Sequence, residues 1–93
     1  MSLANLSELP NIGKVLEQDL IKAGIKTPVE LKDVGSKEAF LRIWENDSSV
    51  CMSELYALEG AVQGIRWHGL DEAKKIELKK FHQSLEGHHH HHH

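Results

Sequence analysis

The stretch Gly64-Ile-Arg-Trp-His-Gly-Leu70 sets Arg66, Trp67 and His68 side by side. An indole beside basic groups can stack on a nucleobase or grip a partner peptide, because its ring face attracts cations and other π-systems. The plainer reading is that Trp67 closes the core while Arg66 and His68 are solvated, since small domains commonly use tryptophan as apolar cover. Lys75, Lys79 and His82 come next at i, i+4 and i+7, one face of a helix, and offer a phosphate track or a partner surface. Glu72 and Glu77 interleave with them, so an ordinary solvated face is the alternative. A second group, Asn11, Ile12, Gly13 and Lys14, precedes a helical pattern. The unpaired amides and dipole of a helix start attract phosphate, and Lys14 adds a positive charge, which makes these four candidate phosphate or nucleic-acid contacts. Glu8, Glu17 and Asp19 surround the same loop with negative charge, and the alternative is a purely structural hairpin.

Catalytic chemistry finds less support. Cys51, the single cysteine, falls on an apolar stripe and reads as a small buried hydrophobe in preference to a nucleophile. The aspartates and glutamates scatter over solvent faces, and neither a Cys/His pair nor a Walker-type glycine loop is present. Six of the eight histidines lie in the closing EGHHHHHH, residues 86–93, which reads as a purification tag, and residues 1–3 read as a vector-derived start. No catalytic residue, metal site, cofactor or small-molecule substrate is therefore assigned, and the chain is not expected to be an enzyme.

What remains is residues 4–85, enough for a single domain with one core. Without Glu86 the formal charge moves from -3 to -2, and this mild acidity counts against a dedicated nucleic-acid binder. One cysteine excludes an internal disulfide and suits a reducing compartment. No apolar run approaches the ~20 residues that span a bilayer. These features predict a soluble, cytoplasmic protein.

The elements that must position these side chains read as five or six helices with no convincing strand, an all-α fold. A first helix over residues 3–9 stops at Pro10, because proline disfavours helical geometry in the residue before it. A second over 14–23 turns Leu16, Leu20 and Ala23 inward, with Gly24 in the left-handed C′ position and Ile25 folding back as the apolar residue after it. Thr27-Pro-Val-Glu30 reads as a capping box: Thr27 caps, Pro28 sits at N1, and Glu30 reaches back to the Thr27 amide. That helix ends near Gly35, and Ser36 caps another through residue 45 with Phe40, Ile43 and Trp44 inward. A fifth spans 51–65 on Cys51, Leu55, Leu58, Val62 and Ile65, with Gly60 and Gly64 marking close approach by another backbone. The last starts with Asp71 as its N-cap and carries Ala73, Leu78, Phe81 and Leu85 inward. Leu9 to Gly13 and Leu31 to Gly35 share the pattern Leu-x-[Asn/Asp]-[Ile/Val]-Gly, from duplication or from shared turn chemistry.

Helix, Pro-Asn-Ile-Gly, helix resembles the helix-hairpin-helix motif, with Asn11 where that loop usually has glycine. Asparagine is the non-glycine residue that best tolerates positive φ. The whole of residues 4–85 resembles the TfoX (Sxy) C-terminal domain family of bacterial competence regulators. The matching residues are Leu9-Pro-Asn-Ile-Gly13, Ala23-Gly24-Ile25 with Thr27, Leu31 and Gly35, Leu58-Glu-Gly-Ala61 with Gly64, and Trp67 with Leu70. The resemblance implies an all-helical domain with a helix-hairpin-helix-like half and a link to control of DNA uptake; two-domain members also carry an N-terminal domain not found in these residues. The reading is a non-enzymatic module binding a protein partner or itself through an exposed helical surface near the hairpin or the Trp67 turn, with Arg66, Trp67, His68, Lys75 and Lys79 as the candidate partner surface and weak, nonspecific nucleic-acid binding through the hairpin loop as the alternative.

Overall fold

Pro10 decides how the chain begins. Leu9 before it is extended (ψ 151°), as the proline ring requires, and Asn5 is extended as well. Only three residues lie between them, so in the computed structural model, which describes residues 5–90, the expected first helix is one 3-10 turn, Leu6–Glu8. Residues 3 and 4 of that expected helix, and the vector-derived start, lie outside the described residues. After it come four α-helices, α1 (Lys14–Lys22), α2 (Pro28–Asn46), α3 (Met52–Gln63) and α4 (Glu72–His90), with a second 3-10 turn, Trp67–Gly69, before α4. The all-α class holds, with no strand among the described residues, but the count of five or six helices does not.

The two helical stretches expected on either side of Gly35 are both present, but they follow each other without a connecting loop and form a single kinked element, α2, which lowers the count. Gly35 interrupts α2 with φ 85° and ψ 167°, a conformation open almost only to glycine. Ser36 does not cap the second half of α2; its buried hydroxyl donates to Glu59 Oε1 at 2.5 Å. The α2 start is capped as expected at Thr27, whose Oγ1 accepts from the Glu30 amide at 3.1 Å. The returning Glu30 carboxylate, however, takes the Lys26 amide (2.7 Å) and not that of Thr27, reaching one residue further back. The α1 end agrees with its sequence: the Ile25 amide bonds to Leu20 O (2.9 Å) and the Gly24 amide to Ile21 O (3.0 Å), the paired bonds of a Schellman ending. The pentapeptide echo is not repeated in conformation, since Leu31 lies within a helix and Leu9 does not.

Packing centres on α3, which lies chiefly against α2 and then against α4. Leu55 and Leu58 are fully buried with Leu31, Phe40 and Ile43 of α2, Leu20 of α1 and Leu78 of α4. Each such side chain contributes about 1.5–3 kcal/mol through removal from water. Trp44, Val62, Ile65, Phe81 and Leu85 pack against this core from its margin. Three expected positions differ. Cys51 is exposed, because it precedes the first turn of α3 in extended conformation (ψ 158°) and the phase of the helical stripe does not apply to it. Ala73 is exposed as well: the row through Leu78 continues backward to Lys74 and Lys75, both half-buried, whose aliphatic stems cover apolar surface. Glu59 departs from the expected solvent-facing acids; it is buried, with one oxygen on Ser36 and the other accepting from Gln63 Nε2 at 2.7 Å. Asp71 precedes α4 as expected, and its carbonyl accepts the Lys75 amide (3.0 Å).

Glu77 ties α4 to α2 by accepting from Lys37, and it also pairs with Lys74 of its own helix. Those hydrogen bonds, Lys37 first, hold its carboxyl below the usual glutamate range. A depressed carboxyl stabilises the fold above its unfolded-state pKa and loses that contribution as pH falls through the folded value, although exposed pairs of this kind are weak. No helix among the described residues is long and apolar enough to cross a membrane.

Replacement of Gly35 by alanine meets open space but an unfavourable backbone. It should lower stability by about 1–3 kcal/mol in urea unfolding, whereas Gly13→Ala, at φ -93° and equally uncrowded, should leave the midpoint nearly unchanged.

Candidate functional site

Asn11 has φ 71°, the one positive value at a non-glycine among the described residues. The turn points its side chain inward across the molecule. Its Nδ2 donates to Ile65 O at 2.9 Å and, more weakly, to Ala57 O at 3.4 Å; its Oδ1 accepts the Trp67 amide at 3.1 Å. A carboxamide is suited to this position because it offers donors and an acceptor on one planar group. Ala57 lies in the body of α3, Ile65 just beyond its Gly64 cap, and Trp67 opens the next turn, so one side chain joins the loop before α1 to the loop after α3.

Gly60 makes the join fit. A Cβ there would collide with Asn11 Nδ2 and would sit 2.7 Å from Ile65 O and 3.1 Å from Trp67 N. The expected close approach is real at Gly60, and the approaching group is a side chain together with backbone. Gly64 serves differently: at φ 79° it ends α3, and the Ile65 amide folds back to Gly60 O at 2.8 Å. That ending aims Ile65 O and the Trp67 amide at Asn11.

The turn so fixed presents an aromatic group. Trp67 is half-buried, its ring parallel to Tyr56 of α3 (centroids 5.9 Å apart, 6° between planes) and stacked on His68 (4.1 Å, 28°). The Lys75 ammonium lies 5.9 Å from the Trp67 centroid, within reach of a cation–π attraction. Arg66, His68 and Lys79 are exposed. Trp67 thus both closes the core and remains partly at the surface. His82 leaves the basic row: it is half-buried, its ring 5.7 Å from that of Phe40. Tyr56 is the site residue that sequence reasoning missed; its place one turn before Gly60 on α3 was the available signal.

In the other candidate group the side chains diverge. Asn11 is half-buried and fully engaged, Ile12 is buried, and Gly13 and Lys14 are exposed. The start of α1 carries no side-chain cap, and the nearby Glu17 carboxylate accepts from the Ser7 amide at 3.4 Å. Elsewhere, Asp19, Lys22, Ile43, Asn46 and Asp47 line a cleft of about 280 Å³ between the ends of α1 and α2. The Ser49 hydroxyl and amide lower the Asp47 carboxyl below its usual range by bonding to it, at 2.6 and 3.0 Å.

Asn11, Gly60, Gly64 and Trp67, which belong to three of the segments that carry the family resemblance, therefore meet at one junction. The TfoX C-terminal domain family matches residues 3–82. The chain belongs to that family. Protein Sxy of Escherichia coli (strain K12) is 38% identical over 80 residues, covering 86% of this chain and 38% of that relative's length. This TfoX C-terminal domain thus spans well under half of Protein Sxy. Within it, the Asn11 junction is where motifs far apart in the chain become a single piece of structure.

Removing the Asn11 carboxamide should leave the Trp67 amide and Ile65 carbonyl short of a partner. Asn11→Ala, which also places a Cβ at positive φ, should lose about 2–3 kcal/mol in urea unfolding. Asn11→Gly, relieved of the backbone term, should lose about 1 kcal/mol less.

Proposed function

We propose that this TfoX C-terminal domain is a non-enzymatic, competence-regulator-like interaction module that binds a protein partner, or a second copy of itself, through Arg66, Trp67, His68, Lys75 and Lys79. The observation that carries this reading is the fixed Trp67 turn. Asn11 Oδ1 accepts the Trp67 amide and Asn11 Nδ2 donates to Ile65 O just before the turn, so the surface is formed before a partner arrives and loses little entropy on binding. Tryptophan and arginine are also the residues most often found at the energetic centre of protein interfaces. The regulatory role is taken from the family; a cytoplasmic setting agrees with Cys51, a free exposed thiol that suits a reducing compartment.

A second reading, weak nonspecific nucleic-acid binding through a helix-hairpin-helix-like loop, is favoured by the uncapped start of α1 and the exposed Lys14. Its support is smaller. Asn11 faces inward, Glu8 and Glu17 flank the loop, and the chain offers little of the positive charge from which phosphate affinity arises.

One pair of variants separates the two. With the tag removed, the domain should capture a partner from its native cytosol; Lys75→Glu/Lys79→Glu should abolish the capture and Lys14→Glu should not. Retention on duplex DNA that falls steeply with salt and vanishes in Lys14→Glu would instead establish the second reading.

A further inference from the structure

Charge is unevenly divided along this chain. Residues 66–82 hold five Lys and Arg against three Asp and Glu, whereas residues 5–65 hold six against ten. Within the basic part, Glu77 is engaged by Lys37 and Lys74. Arg42 pairs with Glu38, and among the described residues Arg66, Lys75, Lys79 and Lys80 have no carboxylate at ion-pair distance. Lys75 and Lys79 stand one turn apart on α4, a rise of about 6 Å, and Lys75 leans over the half-buried Trp67.

We propose that the face formed by Trp67, Lys75 and Lys79 binds an acidic segment of a protein, with carboxylates spaced about one helical turn apart to meet the two ammonium groups. This rests on the reading of that face as the contact surface and adds the chemistry of what it contacts. Complementary charge argues for carboxylates, because unpaired cations beside an aromatic surface gain most from an anionic partner. The state of the indole argues against nucleobases: His68 is stacked on Trp67 at 4.1 Å and the Lys75 ammonium lies over the same ring, so a base would have to displace them to stack. A long polyanion would also meet the acidic remainder of the chain, which a short acidic segment need not touch. Asp71 and Glu72, at the start of α4 and about one turn before Lys75 and Ile76, oppose an anion there and direct it toward Lys79.

The test is an amide NMR titration of the untagged domain, at low salt, with a short synthetic peptide carrying glutamates one helical turn apart. Saturable shifts at residues 66–70, Lys75, Lys79 and Tyr56 are expected. They should disappear with added salt and be absent with the lysine version of the peptide. Lys79→Glu, at an exposed position outside the core, should bind about tenfold more weakly or worse. No shift at millimolar peptide, shifts at another face, or unchanged affinity in a folded Lys79→Glu variant would overturn the proposal. So would a single-stranded oligonucleotide moving the same amides at lower concentration, or a concentration-dependent dimer using this face without peptide. If cytosolic capture maps to Lys75 and Lys79 while the peptide fails, the contact surface stands and only its acidic specificity falls; peptide binding without such capture has the reverse meaning.

Discussion

The carboxamide of Asn11 holds the two ends of this domain in register. It takes two carbonyls and one amide from α3 and the segment that leaves it, at positions 46, 54 and 56 residues away in the chain. Other side chains fit this position poorly. Aspartate would turn an oxygen toward Ile65 O, glycine would supply the backbone angle without bonds, and most other residues would strain at φ 71°. Gly60 is the complementary requirement, since any Cβ there would occupy the space of the amide nitrogen.

Much of the remaining architecture depends on that contact. The paired bonds at Gly64 end α3 so that Ile65 O and the Trp67 amide face the loop, and Ile12, next to Asn11, enters the core. Trp67 is then placed over Tyr56 with Lys75 above it. On another side of α3, buried Glu59 plays a related part between helices, binding Ser36 of α2 through one oxygen and Gln63 through the other. Among residues whose side chains are described, no buried side-chain polar atom is left without a partner. A half-satisfied network would be costly in a domain of this size, where net stability is a small difference between large terms.

The helices were largely legible because their signals are local. Thr27-Pro28 starts α2, Gly24-Ile25 ends α1, and Leu16, Leu20, Leu55 and Leu58 keep helical spacing; each depends on neighbours within a turn or two. What was illegible depended on distant contacts or on phase near an end. The sequence marks Asn11 as tolerant of positive φ but not as a side-chain donor to α3, because nothing local announces Ile65 O as its partner. Periodicity assigned Cys51 and Ala73 to buried faces just where helical phase had not begun or had been misjudged. Glu59 read as solvated because nothing local announces Ser36 and Gln63 as its partners. Of the candidate site, the grouping of Trp67 with its basic neighbours is visible in the sequence, while the stacking of Tyr56 on Trp67 required the fold.

The account rests on the Trp67 amide being closed by Asn11 and not merely lying near it. Hydrogen exchange at that amide, followed by NMR in the untagged domain, tests this most directly. The account predicts protection close to that of the α3 amides, exchanging through global unfolding, and its loss in Asn11→Gly while α3 stays protected. Exchange at Trp67 as fast as in an open loop, or protection unchanged in Asn11→Gly, would contradict it.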